Sequence, residues 1–142
     1  MRSIAAALIG FGLFLSPVLA QTPIDFSGSW WNDRCSKMDL TVTGEQLGGT
    51  YASAVGTGGG TPFPLVGYRS GIDLLAFTVN FGPVGSLASW AGQHTVERGT
   101  EKIITMWHVT ANVADADENA KLWGSILTGS DTFYRTKPGH CP

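Results

Sequence analysis

The sequence predicts an all-β protein, an eight-stranded antiparallel up-and-down β-barrel. Three observations predict it. Short apolar or alternating runs follow one another at a spacing of about 8–12 residues, each closed by a turn signal. Charged residues make up 14% of the chain, well below the roughly 25% of an ordinary soluble domain. Glycine fills 19 of 142 positions and tryptophan 5, a composition foreign to coiled coils, helical bundles and disordered tails. At this length one domain is expected.

The elements follow in order. Residues 1–20 lie outside the predicted fold. Arg2 gives a small positive start, Ile4 to Leu15 is an apolar run too short to span a bilayer, and Val18 and Ala20 place small residues before a cut. This reads as a signal peptide cleaved before Gln21. It leaves a domain of residues 21–142 that is exported, secreted or periplasmic, without a second apolar run to hold it in a membrane. Gly28–Asp33 is the first strand and Lys37–Thr43 the second. Gly44-Glu45-Gln46 turns the chain into Leu47–Ser53. The glycines between Gly56 and Gly60 precede Phe63–Arg69. Ser70-Gly71-Ile72-Asp73 leads into Leu74–Phe81, Gly82-Pro83 into Ala88–Val96, and Glu97-Arg98-Gly99 into Lys102–Thr110. Ala111–Leu122 is the longest gap, with a helical turn expected near Ala114–Ala120. Trp123–Arg135 is the eighth strand. Hairpins in strict succession favour a closed barrel, which has no exposed edge.

Alternation then carries the sequence towards function, because residues i and i+2 share a face of a strand. Trp30 pairs with Asn32 in this way, Tyr51 with Ser53, Phe77 with Val79 and Phe81, Ser86 with Ala88 and Trp90, Trp107 with Val109, and Asp131 with Phe133. A small barrel with a solid core is filled by Val, Ile and Leu. Polar side chains on these inward faces need partners, since an unsatisfied buried polar group costs about 1–3 kcal/mol. A polar ligand supplies them.

Other classes are excluded. A net charge of −2 leaves no basic stripe for nucleic acid. His94, His108 and His140 lack the spacing of a zinc ligand set, and His108 alternates with Trp107 and so faces outward. Asp115, Asp117 and Glu118 lack the glycine and terminal glutamate of a calcium loop and read as a solvated acidic loop. The glycine run has neither phosphate-cradle pattern, and no Gly-x-Ser-x-Gly elbow is present. No metal, no cofactor and no catalytic apparatus are expected.

Gly28-Ser29-Trp30-Trp31-Asn32, Gly49-Thr50-Tyr51-Ala52-Ser53-Ala54-Val55-Gly56, Ser89-Trp90-Ala91-Gly92-Gln93 and Gly129-Ser130-Asp131-Thr132-Phe133 occur in this order. Together they give the chain its resemblance to the avidin and streptavidin family of biotin-binding proteins. The resemblance runs from Gly28 to about Tyr134. It implies non-enzymatic, high-affinity biotin binding inside the barrel, with sequestration of biotin as a plausible purpose. Asn32, Ser36 and Tyr51 match the family's three donors to the ureido oxygen. Asp131 and Ser53 match the acceptors for the two ureido N–H groups. Phe81, Trp90 and Trp107 match the aromatic walls; Ser86 and the backbone near Thr57 match the contacts to the valerate carboxylate. Trp123, eight residues before Asp131, matches the tryptophan lent to a neighbouring subunit's pocket, so a homo-oligomer is implied, a tetramer rather than a dimer.

The chain also departs from the family. Ala88 stands where many relatives carry a hydroxyl towards the thioether, and Phe81 where Trp is commoner. The glycine-rich loop is slightly longer than in streptavidin, so ordering it costs more entropy. These changes predict recognition of the ureido end with affinity below the family's best.

Two other functions fit a small exported barrel. One is a lipocalin-like carrier of another small molecule, which calls for an all-apolar interior. The other is a secreted barrel-type protease inhibitor, which needs no pocket. The cysteines are ambiguous at this level. Cys35 and Cys141 are 106 positions apart, a loop worth about 4–5 kcal/mol if bridged in an oxidising compartment. The last strand exits at the opposite end from Cys35, so the tail must turn back, and six residues after Arg135 reach at most about 20 Å. A bridge within the chain, a bridge between subunits and free thiols all stay open.

Overall fold

The computed structural model describes residues 22–56 and 59–142. The signal-peptide reading of residues 1–20 and the assignment of Thr57 lie outside the described residues. Eight strands run β1 (Gly28–Asn32), β2 (Lys37–Thr43), β3 (Gln46–Ala52), β4 (Pro62–Ser70), β5 (Leu74–Asn80), β6 (Ser86–Glu97), β7 (Thr100–Ala111) and β8 (Ile126–Tyr134). Each pairs antiparallel with its neighbour in sequence, and β1 closes on β8 through Trp31↔Tyr134 and Asn32↔Phe133. The closed up-and-down barrel expected from the hairpin succession is the fold.

The pleat sorts the side chains as alternation requires. Trp30, Asn32, Leu75, Phe77, Val79, Ala88, Trp90, Ile103, Thr105, Asp131 and Phe133 are all buried, whereas Val66, Tyr68, Ile104, Met106 and His108 are exposed. The interior divides into two halves along the axis. One end is sealed. Trp30 is fully buried there, and its Nε1–H donates to the Phe26 carbonyl at 2.9 Å. The Arg135 guanidinium lies 3.8 Å from the Trp30 ring centroid, donates to the carbonyls of Ser27 and Asp25, and meets Glu101 at 3.1 Å. The same Glu101 carboxylate meets His94 Nε2 at 3.0 Å, and the His94 ring stands edge-on to Phe26 and Trp30. Each large apolar side chain fully buried here contributes about 1.5–3 kcal/mol. The buried apolar cluster of this floor continues into Leu65, Phe77 and Trp90, and the buried polar groups Asn32, Ser36 and Asp131 stand in the other half of the barrel.

The connections differ from expectation in places that matter. The eighth strand begins at Ile126, not Trp123. Leu122–Ser125 closes a 3₁₀ turn in which the Ser125 hydroxyl donates to the Leu122 carbonyl at 2.6 Å. Gly124 and Ser125 favour that turn over extension. Trp123 therefore sits before the strand; its side chain lies outside the described residues. Phe81 also leaves its strand. It precedes a short 3₁₀ turn at Gly82–Val84, started by Pro83, which cannot donate to a ladder. The expected helical turn is present as a 3₁₀ turn at Asp115–Asp117 continuing into α1 (Glu118–Lys121).

The cysteines pair within the chain. Cys35 and Cys141 form a disulfide with Cα atoms 5.4 Å apart. The tail after β8 turns back towards the β1–β2 connection, as an intramolecular bridge demanded. Cys35, His140 and Cys141 place potential ligand atoms within 4.8 Å of one another, but both sulfurs are committed to the bridge.

Candidate ligand-binding site

Opposite the sealed floor the barrel opens into a cavity of about 370 Å³, within the usual range for a small-molecule site. Asn32, Ser36, Tyr51, Ser53, Phe81, Ser86, Trp90, Trp107 and Asp131 line it. A larger concavity of about 900 Å³ lies on the outer surface, among Val66, Tyr68, Ala76, Met106 and His108. Those side chains point away from the interior, so that groove is a separate feature.

The donors are built from the β1–β2 and β3 segments. Asn32 ends β1, and its Oδ1 accepts the backbone N–H groups of Arg34 at 3.1 Å and Ser36 at 2.8 Å. This capping arrangement ends the strand and spends the oxygen, so the amide NH₂ is the part of Asn32 left for the cavity. Ser36 is buried, and its Oγ accepts the Ala54 N–H at 3.0 Å. Its single proton stays available for donation. Tyr51 is buried on β3, and desolvation pushes its phenol up to about 12, helped by the Asp131 charge and opposed by Ser36, Arg34 and Asn32. The phenol is thus a neutral donor at any physiological pH. Three donors of different reach converge on one wall, as in an oxyanion hole.

The acceptors face them. Asp131 sits on β8 opposite Thr105, whose hydroxyl donates to the Asp131 carbonyl at 3.1 Å and fixes the backbone. Its Oδ2 accepts the Trp90 Nε1–H at 3.0 Å. Its Oδ1 is buried and has no hydrogen-bond partner among the described residues. A sealed carboxylate oxygen without a donor is costly, and such groups concentrate at functional sites. Ser53 leaves β3 into a turn in which its hydroxyl donates to the Val55 carbonyl at 2.7 Å and accepts the Val55 N–H at 3.2 Å. With the proton committed, what Ser53 still offers is a lone pair.

Aromatic rings frame these groups. Phe77 stacks on Trp90 with centroids 5.0 Å apart and planes at 12°, and Tyr51 packs on the same indole at 5.0 Å. Phe81 stands edge-on to Tyr51 and Phe63. Trp107 lies directly across from Gly129, and a Cβ on that glycine would fall 2.5 Å from the indole. The glycine makes room for the ring.

A family model described as "Avidin family" matches residues 20–136. The chain belongs to the avidin family. Among solved structures, the chain is similar to rhizavidin, crystallised as a rhizavidin–biotin complex, at 25% identity over 76% of this chain and 97% of that one, with a TM-score of 0.66. It is similar to xenavidin at 26% identity over 78% of this chain and 96% of that one, with a TM-score of 0.67.

Within this avidin-family barrel, nine of the ten positions expected to surround a ligand line the one cavity; Thr57 lies outside the described residues. The cavity also takes in Arg34, Val55, Gly56, Val84, Val109 and Leu127, together with Ala88. Val109 was legible, since it shares a face with Trp107. Arg34, Val55, Gly56 and Val84 are in connections, where a period of two carries no information.

Proposed function

We propose that this chain binds biotin in the cavity and does not transform it. The observation that carries the reading is the unpartnered, buried Oδ1 of Asp131, a residue that lines the same cavity as the donors Asn32, Ser36 and Tyr51. A ureido group fits that polarity. Its oxygen accepts from Asn32, Ser36 and Tyr51, and its two N–H groups donate to Asp131 and Ser53. The charge on Asp131 and the donors polarise the ligand in the same direction, so each strengthens the other. Trp90, Trp107 and Phe81 cover the apolar ring system, with Ser86 and the backbone near Thr57 at the carboxylate. Family membership and the biotin bound by rhizavidin support the same ligand. The polar interior disfavours a lipocalin-like carrier, and a pocket this elaborate has no use in a protease inhibitor.

The wider setting belongs to the same proposal. The N-terminal pattern supports export to the periplasm or the medium. The outward residues Val66, Tyr68 and Met106, each more than 60% exposed, support burial against other copies. We expect a homotetramer, with a dimer as the smaller alternative, in which Trp123 reaches a neighbour's cavity.

The test is a thermal melt of the protein expressed from Gln21. Biotin should raise the midpoint and change the tryptophan fluorescence; valerate, which lacks the ureido ring, should do neither. A midpoint raised by an apolar carrier ligand but not by biotin would return the barrel to the lipocalin-like reading.

A further inference from the structure

The end of β1 and the short β1–β2 connection carry two of the three donors, Asn32 and Ser36. Asn32 and Ser36 exchange a backbone bond at 2.9 Å, and the Cys35 N–H donates to the Asn32 carbonyl at 3.0 Å. Asn32 Oδ1 holds the amides of Arg34 and Ser36 from the inside. Between them Cys35 adopts φ +68°, a left-handed conformation that a residue with a Cβ adopts only when its surroundings impose it. One face of this loop therefore presents Asn32, Arg34 and Ser36 to the cavity. The other face meets the C-terminal tail at two points. Cys141 is bonded to Cys35, and His140 Nε2 lies 3.0 Å from the Asp33 carbonyl, to which it donates. The tail is itself held at both ends. Its base is fixed by Arg135 to the floor of the barrel, and its tip is folded by the Cys141 N–H bond to the Pro138 carbonyl at 3.0 Å.

We propose that the C-terminal tail is a redox-sensitive clamp on the donor wall, with Cys141 and His140 acting as positioning residues for Asn32 and Ser36. The inference rests on the biotin reading above. With the bridge closed, a loop that would otherwise relax its left-handed residue is held with both donors aimed inward. A dithiol opens it. Two electrons and two protons pass to the Cys35 and Cys141 sulfurs, giving two protein thiols, while the dithiol closes to its own disulfide. Of the tail's two contacts with the loop only the one through His140 then remains, and the loop is free to sample arrangements in which Asn32 and Ser36 miss the ureido oxygen. The half-buried position of both cysteines leaves the bridge within reach of a small thiol. The consequence is read chiefly in faster ligand release, because affinity changes within one site fall mostly on dissociation.

The experiment measures biotin dissociation from wild type with and without dithiothreitol, and from Cys35→Ser/Cys141→Ser and His140→Ala. Opening the bridge should speed dissociation roughly ten- to a hundredfold, the scale of a small misplacement of binding groups, and reoxidation should restore it. The readout that separates positioning from general stabilisation is the same measurement in an Asn32→Ala/Ser36→Ala background. There, opening the bridge should add less than about twofold, because the groups it positions are gone. An equal acceleration in both backgrounds, or unchanged dissociation when thiol titration finds two free thiols, would overturn the clamp. If the double variant does not fold, reduction of the folded wild type and His140→Ala carry the test. If wild type fails to bind biotin, the proposed ligand falls separately. The clamp is then decided by hydrogen exchange at the Arg34 and Ser36 amides, which should quicken at least tenfold on reduction and which, unchanged, would contradict it.

Discussion

At the scale of single residues, the site is a matter of which atoms are already spent. Asn32 uses its oxygen on Arg34 and Ser36, Ser36 uses a lone pair on Ala54, and Ser53 commits its proton to Val55. What remains is a set of donors on one side and acceptors on the other. Tyr51 gives this a pH signature. Its folded pKa, about 12, lies above the 10.0 of an ordinary phenol because burial disfavours the charged form. Below pH 10 the phenol is protonated in both states and its contribution is fully present. Between 10 and about 12 only the unfolded phenol ionises, so the native state binds more protons and stability falls as pH rises. Denaturant melts across that window should show the fall in wild type and a shallower one in Tyr51→Phe; identical slopes would contradict the assignment. Gly129→Ala tests the wall. Its Cβ would meet the Trp107 indole at 2.5 Å, and overpacking of this kind costs about 1–3 kcal/mol. Biotin affinity in a titration should drop by roughly ten- to a hundredfold. Asp131, Trp90 and Tyr51 were legible because alternation on a strand fixes their direction. Arg34 was not, because nothing in a connection's sequence says which way its side chain turns.

At the scale of elements, the sequence carried the strands well and their ends less well. Phe81 and Trp123 are both strand-like residues drawn out of their strands, Phe81 to the cap of a 3₁₀ turn and Trp123 into one, where the Gly and Pro or Gly and Ser beside them outweigh their own preference. Ligand-facing residues gather at such ends, so the errors fall near the site. The disulfide was open in the sequence because it depends on where a seven-residue tail goes after the last strand, which no local pattern encodes. The floor of the barrel makes an element-level prediction. Arg135 joins the end of β8 to the segment before β1 and covers Trp30. Arg135→Ala should destabilise the fold by about 2–3 kcal/mol through lost packing and orphaned carbonyls. Biotin affinity measured well below the melting point should stay within about twofold, because the Cys35–Cys141 bridge still holds the tail against the donor wall. A large loss of affinity without a drop in midpoint would show that the two halves are not separate.

At the scale of the whole molecule, the same period of two that points polar groups inward leaves Val66 and Tyr68 on β4, and Ile104 and Met106 on β7, pointing outward. Contact with another copy, as proposed above, would cover this apolar surface. Met106→Lys with Val66→Lys should reduce the mass seen by light scattering to that of a smaller assembly or a single chain; an unchanged mass would place the contact elsewhere. Fold class was legible because a closed barrel is a repeated local rule, hairpin after hairpin, and the side chains that rule directs inward called for a polar ligand; the family and its biotin came from the resemblance carried by the four motifs. The claim that joins these scales is that Asp131 Oδ1 awaits a ureido N–H. Isothermal titration of biotin into wild type and Asp131→Asn tests it most directly. Wild type should bind about one biotin per chain, and the isosteric variant should bind at least a hundredfold more weakly, since a charge-assisted bond of roughly 3 kcal/mol is removed. Equal affinity in both proteins would contradict the account, because the buried oxygen would then have no part in recognition.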